Sequence, residues 1–506
     1  MAKHRPFTLR FPTGGLDRRF AFQDQDPYTT PDCMNVWPLD VTSGRQRGGV
    51  RPGTTYVGTA SNDPYHWVTG VYVSSGAKEA LFVCTEGGTK STLDGVTWTT
   101  HISSLTPGAN NFSSCAVLKG KVYQVISGGG QIQEETLPGT SATDIDDSGT
   151  AVPAPEDCGL ICAHLDSLWV AGDPANPQII TKCATGDTTD WNTARNSLSA
   201  AWSNTGAEGG QIGHAVTGMI AHSGNTLLVG SARATYAIVG NPRSSGSIRR
   251  VSHLNGPLSN TAWCKGIGPK GENNTYVFTT DGLAVIPQDS LSIVLLSRDK
   301  IPDELRGVEP ENGDNVAIGY DARWPGIHIT INPNTDDISY FYHIPTDSYW
   351  PCDHETRHFQ LYPTFTPLQT DGKSTILPMT TIGDMYQFDV ASTEEFDSYL
   401  DLGPIRLAGP TGEGYIAWIS ATLAAGSDDC NGRLRSGDSI EEAFYQTDNS
   451  HEYTLSPWTR DGYNYSQRPQ IGGYAAYLTI YDIADERWIM EEVVGEIGNR
   501  GQRRVG

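Results

Sequence analysis

The chain has 506 residues, including 56 glycines and 30 prolines, and its 58 acidic and 35 basic side chains give a formal net charge of −23. An acidic body repels DNA and RNA, which excludes a conventional nucleic-acid-binding protein. No run approaches the 18 or so apolar residues that span a bilayer, and the nine scattered cysteines favour buried free thiols over a disulfide framework.

Residues 1–52 differ from the rest of the chain. They hold eight Lys or Arg against five Asp, a balance of +3, so that residues 53–506 carry −26. They are rich in turn formers and show no strand pattern, which predicts an extended assembly arm that another subunit fixes. We expect its cations to pair with carboxylates of that neighbour: Arg18, Arg19, Arg45, Arg47 and Arg51. The basic start "MAKHRPFTLRFPTGG" lacks an apolar signal-peptide region, so we expect assembly in a cytoplasm.

A polar or glycine turn followed by a short apolar strand recurs from residue 53 to residue 395. These turns lie near residues 76, 120, 166, 224, 282, 326 and 383. Such a period, with several short strands in each unit, predicts an all-β fold with a β-propeller of six or seven blades. A string of β-sandwiches is the alternative, but the period is short for sandwiches of about 100 residues.

The strand pattern of the sequence changes after the predicted propeller. Longer strands such as "YIAWISATLA" and "GGYAAYLTIY" predict a smaller β-rich domain over residues 396–506, closing on or beside the propeller. Two segments with a serine followed by acids, 392–401 and 436–446, favour short helices. We expect three arginines near the end of the sequence to meet acids of an adjacent chain: Arg500, Arg503 and Arg504.

Three motifs of the sequence resemble sites that carry chemistry. "STLDGVTWTT" (91–100) resembles the Asp-box of sialidases with one spacer missing, and that box is a structural turn. The spacing of Cys352, His354 and His358 can begin a zinc site, but no second Cys or His pair lies near it in the sequence. "DIDDSG" (144–149) begins like a calcium loop, yet Pro155 stands where an EF-hand needs a glutamate. We therefore predict a structural or binding protein, not an enzyme, with no catalytic residues, metal or cofactor.

Three segments together resemble phage tail proteins with a propeller core. The first is "FPTGGLDRRFAFQDQDPYTTPDCMNVWPLDVTSGRQRGGVRPGT", in which Asp32, Asn35 and Val36 form a D-x-x-N-V pattern before the basic stretch 44–53. The second is "LWVAGDPANPQIITKCATGDTTDW", which is similar to a blade of those proteins. The third is "RWIMEEVVGEIGNRGQRR", which resembles their C-terminal strand and basic tail.

The resemblance implies a tail hub or nozzle of a short-tailed phage, a virion protein that continues the DNA exit channel. Its partners would be further copies of itself in a ring, six-fold in our expectation, together with adaptor or portal-side and distal tail proteins. Genome DNA would pass through the lumen without specific binding, and this chain would not enter a membrane. The alternative is a carbohydrate- or receptor-binding propeller tail protein, and a propeller glycosidase is less favoured.

Overall fold

Short antiparallel strands dominate the computed structural model. It describes residues 4–502 apart from 60–64, 74–77, 86–87, 94–96, 103–112, 129, 138, 140–141, 146–151, 205–211, 254–255, 297–299, 301–304, 306–314, 333–337, 354–383, 393, 410–411, 447–450 and 484–486. No helix in these residues is long and apolar enough to cross a membrane.

The N-terminal segment contains four short strands and one 3-10 turn, Phe22–Asp24. The strands are β1 (Arg5–Arg10), β2 (Cys33–Met34), β3 (Val36–Trp37) and β4 (Gly49–Val50). A longer strand follows at once, β5 (Gly53–Thr59).

Six four-stranded sheets come next, each an antiparallel meander in chain order. The first two sheets contain β6 (Tyr65–Val73), β7 (Lys78–Thr85), β8 (Gly88–Thr92) and β9 (Trp98–Ile102), then β10 (Ser113–Leu118), β11 (Lys121–Ile126), β12 (Gln133–Thr136) and β13 (Thr143–Asp144). The third and fourth contain β14 (Leu160–His164), β15 (Ser167–Ala171), β16 (Ile180–Lys182) and β17 (Trp202–Ser203), then β18 (Val216–Ser223), β19 (Thr226–Ser231), β20 (Ala234–Val239) and β21 (Ser247–Ser252). The fifth and sixth contain β22 (Trp263–Ile267), β23 (Asn273–Thr279), β24 (Gly282–Pro287) and β25 (Val294–Leu295), then β26 (Asn315–Asp321), β27 (Gly326–Asn332), β28 (Ile338–His343) and β29 (Ser348–Cys352). A second 3-10 turn, Ile344–Thr346, precedes β29.

The third sheet shows why the sequence folds into such units. His164 pairs with Ser167 across a two-residue turn, and both turn residues, Leu165 and Asp166, have φ near +50°. A turn with two left-handed residues matches the twist of a hairpin. All five residues of β15 are buried, because a strand inside a stack of sheets has both faces covered.

Apolar clusters hold each sheet against the next. Leu168 and Val170 pack with Tyr123 and Val125 of the second sheet, whereas Trp169, on the opposite face of β15, packs with the fourth sheet. Every internal sheet therefore buries two faces, which is the arrangement of propeller blades and leaves only short edges exposed.

The ring closes by pairing strands that are far apart in the sequence. β30 (Asp384–Asp389) runs antiparallel to β5, with Asp384 opposite Thr59 and Asp389 opposite Gly53. The fold is thus a β-propeller, in which six four-stranded blades and this closing sheet lie within the described residues.

The C-terminal domain is formed by two five-stranded sheets. Its elements are β31 (Tyr399–Arg406), β32 (Gly412–Leu423), β33 (Cys430–Gly437), α1 (Ile440–Tyr445), β34 (Glu452–Thr454), β35 (Gly462–Tyr463), β36 (Gly472–Gly473), β37 (Ala475–Asp482) and β38 (Met490–Gln502). One sheet has the order β1-β38-β32 with β35 and β36 on its far side, and the other has the order β2-β31-β37-β33-β34. We call this domain the sandwich.

One of the two helix predictions is confirmed. Ser439 caps α1, and its side chain accepts a hydrogen bond from the backbone N–H of Glu442. The helix predicted over 392–401 is wrong, since Tyr399 and Leu400 already belong to β31 and pair with β37. A buried strand pairing outweighs the local helix signal there.

Residues 1–52, predicted as an extended arm, contain short strands that pair within the chain. β1 pairs with β38, with Arg5 opposite Ile497, and β2 pairs with β31. Trp37 is completely buried and stacks on Phe341 of the sixth blade at 4.1 Å. The segment is therefore an integral part of its own chain, because its apolar residues complete the core that the sandwich shares with the propeller.

Candidate functional site: the domain junction

Arg51 lies buried where the N-terminal segment enters the propeller, with only 1% of its surface exposed. Its Nε donates to Oδ1 of Asn35, its Nη1 to the carbonyl of Pro52 and its Nη2 to the carbonyl of Asp353, each at 2.9 Å. Its guanidinium also lies over the ring of Phe396 at 3.7 Å. These neutral acceptors let the charge be buried without leaving its donors unsatisfied.

Asn35 is the second centre of this junction. Its backbone is left-handed, with φ 55°, a conformation that asparagine tolerates better than most residues. Its Oδ1 accepts a second hydrogen bond, from the N–H of Asp353 at 2.8 Å, and its Nδ2 donates to the carbonyl of Asp397 at 2.6 Å. The side chain thus joins the sixth blade, the entry to the sandwich and Arg51.

Three further arginines of the segment, Arg18, Arg19 and Arg47, are paired with aspartates of the same segment. Arg18 lies 3.0 Å from Asp32, which also accepts a hydrogen bond from the Tyr399 hydroxyl. Arg19 lies 2.6 Å from the buried Asp17.

Arg47 joins the two ends of the described chain, because it lies 3.1 Å from Asp40 and 2.7 Å from Glu491 of β38. Burial alone would raise the pKa of Asp40, but hydrogen bonds from Ser43, Thr42 and Arg47 hold it below its usual value.

Four arginines of the predicted assembly interface, Arg18, Arg19, Arg47 and Arg51, have partners within the chain, and their pairing with a second subunit stays a prediction. Arg45 is exposed. Arg500 donates to the carbonyl of Gln470 at 2.7 Å and lies over Tyr415. Arg503 and Arg504 lie outside the described residues.

A cleft of about 730 Å³ opens beside this network, next to the strands that close the ring. It is lined by Arg51, Thr54, Thr55, Tyr56, Asp353, Asp389, Ala391, Ser392, Glu394, Glu395 and Phe396. Glu394 is engaged at its edge, since Oε2 accepts from the N–H of Thr54 at 2.5 Å and lies 3.7 Å from Arg51. The lining is mostly polar and contains four carboxylates and one arginine.

A serine, a histidine and a carboxylate meet between the first two blades, a feature that the sequence analysis missed. His101 Nε2 lies 2.8 Å from the Ser91 hydroxyl, and its Nδ1 is in ion-pair contact with Glu135. The order resembles that of a hydrolase triad, but the histidine and glutamate side chains are 0% and 2% exposed. Enclosed in this way, the three side chains join one blade to the next.

The two metal motifs of the sequence are only partly described. Cys352 is buried among apolar groups, and burial raises the pKa of its thiol. His354 and His358 lie outside the described residues, as do Asp146 and Ser148, whereas Asp144 belongs to β13. Within the part of the chain that the structure describes, no three His, Cys, Asp or Glu side chains form a group that could hold a metal ion.

Comparisons with known proteins return propeller structures of low similarity. No protein-family model matches the chain, and no curated protein does. Among solved structures, the chain is similar to the extracellular domain of BT4673 from B. thetaiotaomicron, with 13% identity and a TM-score of 0.41 over 74% of this chain and 43% of that one. It thus spans less than half the length of that domain.

Two further structures are a GH74 xyloglucanase from Xanthomonas campestris, with 13% identity and a TM-score of 0.40, and YCF48 from Cyanidioschyzon merolae, with 12% and 0.36. The first alignment covers 74% of this chain and 58% of the other, and the second covers 66% and 98%. The chain is a β-propeller protein with an attached sandwich.

Proposed function

We propose that the chain is a structural protein of a phage tail, a hub or nozzle whose copies form a ring around the DNA exit channel. One observation carries the proposal. The residues on which the resemblance to phage tail proteins rests, above all Asn35 and Arg51, form the hydrogen-bonded network that locks the N-terminal segment between propeller and sandwich. The residues that carry the resemblance therefore have a structural role in this chain, and a structural role is what we expect of a virion protein.

A rigid junction suits a ring that must withstand the passage of a genome. Trp37 joins the core of the sandwich to the sixth blade, and β1 and β2 tie the N-terminal segment to the sandwich sheets. Domains that share a core and a buried polar network resist relative motion more than domains joined by a linker do.

The net charge of −23 fits a conduit. In this proposal the wall that faces DNA is acidic or neutral, because lysine and arginine would grip the phosphates. At about 0.15 M salt the field of such a wall reaches only about 8 Å, so it repels DNA from the surface without closing the bore. The neighbours in this proposal are portal-side adaptor and distal tail proteins of the virion.

A carbohydrate- or receptor-binding protein is the second candidate. Tyr463 and Tyr465 are 57% and 72% exposed on one hairpin of the sandwich, and Arg460 lies over the ring of Tyr465 at 4.6 Å. Exposed aromatic rings beside a hydrogen-bond donor can stack on sugars, as amphipathic aromatic side chains do at other binding surfaces.

The decisive experiment measures the assembly state of the purified chain. Light scattering should give a mass several times that of the monomer, and negative-stain images should show rings with a central bore. A glycan array and an assay for release of reducing sugar from bacterial polysaccharides run in parallel, and we expect neither binding nor turnover. A monomeric wild-type chain that binds a glycan, together with loss of this binding in the Tyr463→Ala and Tyr465→Ala variants, would favour the second candidate instead.

A further inference from the structure

An exposed aromatic patch lies where the N-terminal segment meets helix α1. Phe22 packs on Phe444 at 4.5 Å between ring centroids and meets Tyr445 edge-on at 5.6 Å. Phe444 in turn contacts the buried Tyr477, so the patch is anchored to the sandwich. Tyr445 and, two residues before Phe22, Phe20 remain 63% and 49% exposed.

Two arginines lie beside this patch. Arg5 donates from its guanidinium to the carbonyl of Arg406, and Arg406 donates to the carbonyl of Gln23, the neighbour of Phe22, at 2.9 Å. Both side chains are exposed. Neither forms an ion pair with a carboxylate of the described residues, although the chain carries 58 acids. Two adjacent cations that no described carboxylate pairs with favour the approach of a carboxylate.

A terminal strand of the sandwich begins at Arg5. This strand, β1, is the last of its sheet in the described part of the chain. Its outer edge offers backbone N–H and C=O groups to an incoming segment. Aromatic and arginine side chains are also the types enriched at the centres of protein interfaces.

We propose that this surface, formed by Arg5, Phe20, Phe22, Arg406 and Tyr445, binds an acidic face of a second copy of the chain. The inference rests on the proposed function and adds to it the surface through which neighbouring subunits join. The second copy is the occupant that charge favours, since residues 53–506 of every copy carry −26. The aromatic rings would supply the desolvated centre of the contact, and the two arginines its electrostatic selectivity.

The test compares self-association of three proteins by sedimentation velocity from about 1 to 100 µM. The wild-type chain is the reference, Phe20→Ser/Tyr445→Ser removes the exposed rings, and Arg5→Glu/Arg406→Glu reverses the cations. We expect each double variant to weaken association at least about tenfold. The control is Tyr463→Ser/Tyr465→Ser, which removes two exposed rings from a different surface and should associate like the wild type. Thermal unfolding of all variants shows that each is folded.

Three results would count against the inference. If the Phe20→Ser/Tyr445→Ser variant still assembles into oligomeric rings with unchanged affinity, the inference is overturned and the proposed function remains intact. Equal weakening in the Tyr463→Ser/Tyr465→Ser control would assign the contact to another surface. A wild-type chain that stays monomeric throughout would overturn both. In support, a photo-reactive benzoyl-phenylalanine at position 20 should cross-link the wild-type background to a second copy of the chain.

Discussion

Arg51 and Asn35 form a buried pair in which the guanidinium Nε donates to the amide oxygen at 2.9 Å, while that oxygen also accepts from the backbone of Asp353. The cation is held by neutral acceptors, and the carboxylate of Glu394 lies 3.7 Å away. A charge buried in this way depends on every one of its acceptors. Removing one of them should therefore cost more than an average hydrogen bond.

Replacing Arg51 with Met should lower the free energy of unfolding by about 3–5 kcal/mol, because its acceptors would remain buried without donors. Asn35→Ala should cost about 1–3 kcal/mol. A double-mutant cycle in urea should give a coupling of at least about 0.5 kcal/mol. Arg45→Ala, which changes an exposed arginine of the same segment, is the matched control and should stay within about 0.5 kcal/mol of the wild type.

Trp37→Ala tests whether the N-terminal segment stabilises its own chain. The side chain is fully buried and stacks on Phe341, so its truncation should cost about 3–5 kcal/mol. An arm fixed only by another subunit would leave the monomer unaffected. Leu198→Ala, at a residue that is 67% exposed, serves as the control. A shift in the urea midpoint no larger than that of the control would contradict the structure.

Acid should destabilise the propeller through two enclosed histidines. Burial lowers the pKa of His164 and of His343 to about 4, from about 6.5 in an unfolded chain. The unfolded state thus binds protons first, and stability falls as the pH drops from about 6.5 to about 4, by on the order of several kcal/mol for the two together. His164→Gln and His343→Asn should each flatten this dependence. Identical pH profiles of the urea midpoint in all three proteins would contradict the assignment.

The cysteines should be protected from alkylation in the native protein. Eight of them are free and buried in the described structure, and burial raises the pKa of Cys162 to about 11 and of Cys158 to about 12. At pH 8 their thiolate fraction is small and access is blocked. Iodoacetamide followed by mass spectrometry should modify these eight only after unfolding. Rapid modification of any of them in the native state would refute this, whereas Cys84 is not covered by the prediction.

The buried Ser91–His101–Glu135 group should contribute stability without reactivity. His101→Ala should destabilise by about 2–4 kcal/mol, since it leaves the glutamate buried without its partner. Hydrogen exchange of the amides in β8, β9 and β12 should then accelerate more than in the fifth blade, which serves as the internal reference. A fluorophosphonate probe should leave Ser91 unmodified. Covalent labelling at that serine would show that the group is accessible after all.

The sequence carried enough information to predict the propeller. Tight turns such as Leu165–Asp166 recur at a regular interval, and turn chemistry is local. The N-cap of α1 was likewise readable, since Ser439 and Glu442 interact over only three residues.

The junction could not be predicted in this way, for a physical reason. β2 and β3 contain two residues each, too few to show any alternation, and β1 pairs with residues almost 500 positions away. Arg51 and Asn35 lie in loops, where no periodicity marks a buried side chain. A basic, turn-rich segment that is buried by remote partners therefore has the same local pattern as a flexible arm.

The pairing of β1 with β38 has a consequence for how the protein is made. Arg5 is synthesised long before its partner, Ile497, so the two can pair only when nearly all of the described chain has been made. The propeller also closes late, since β5 can pair with β30 only after β30 has been synthesised. Until then the nascent chain displays unpaired strand edges, which invite aggregation. Contacts so remote in sequence also fold slowly, so production of this protein should respond strongly to temperature and to chaperones that shield exposed strands.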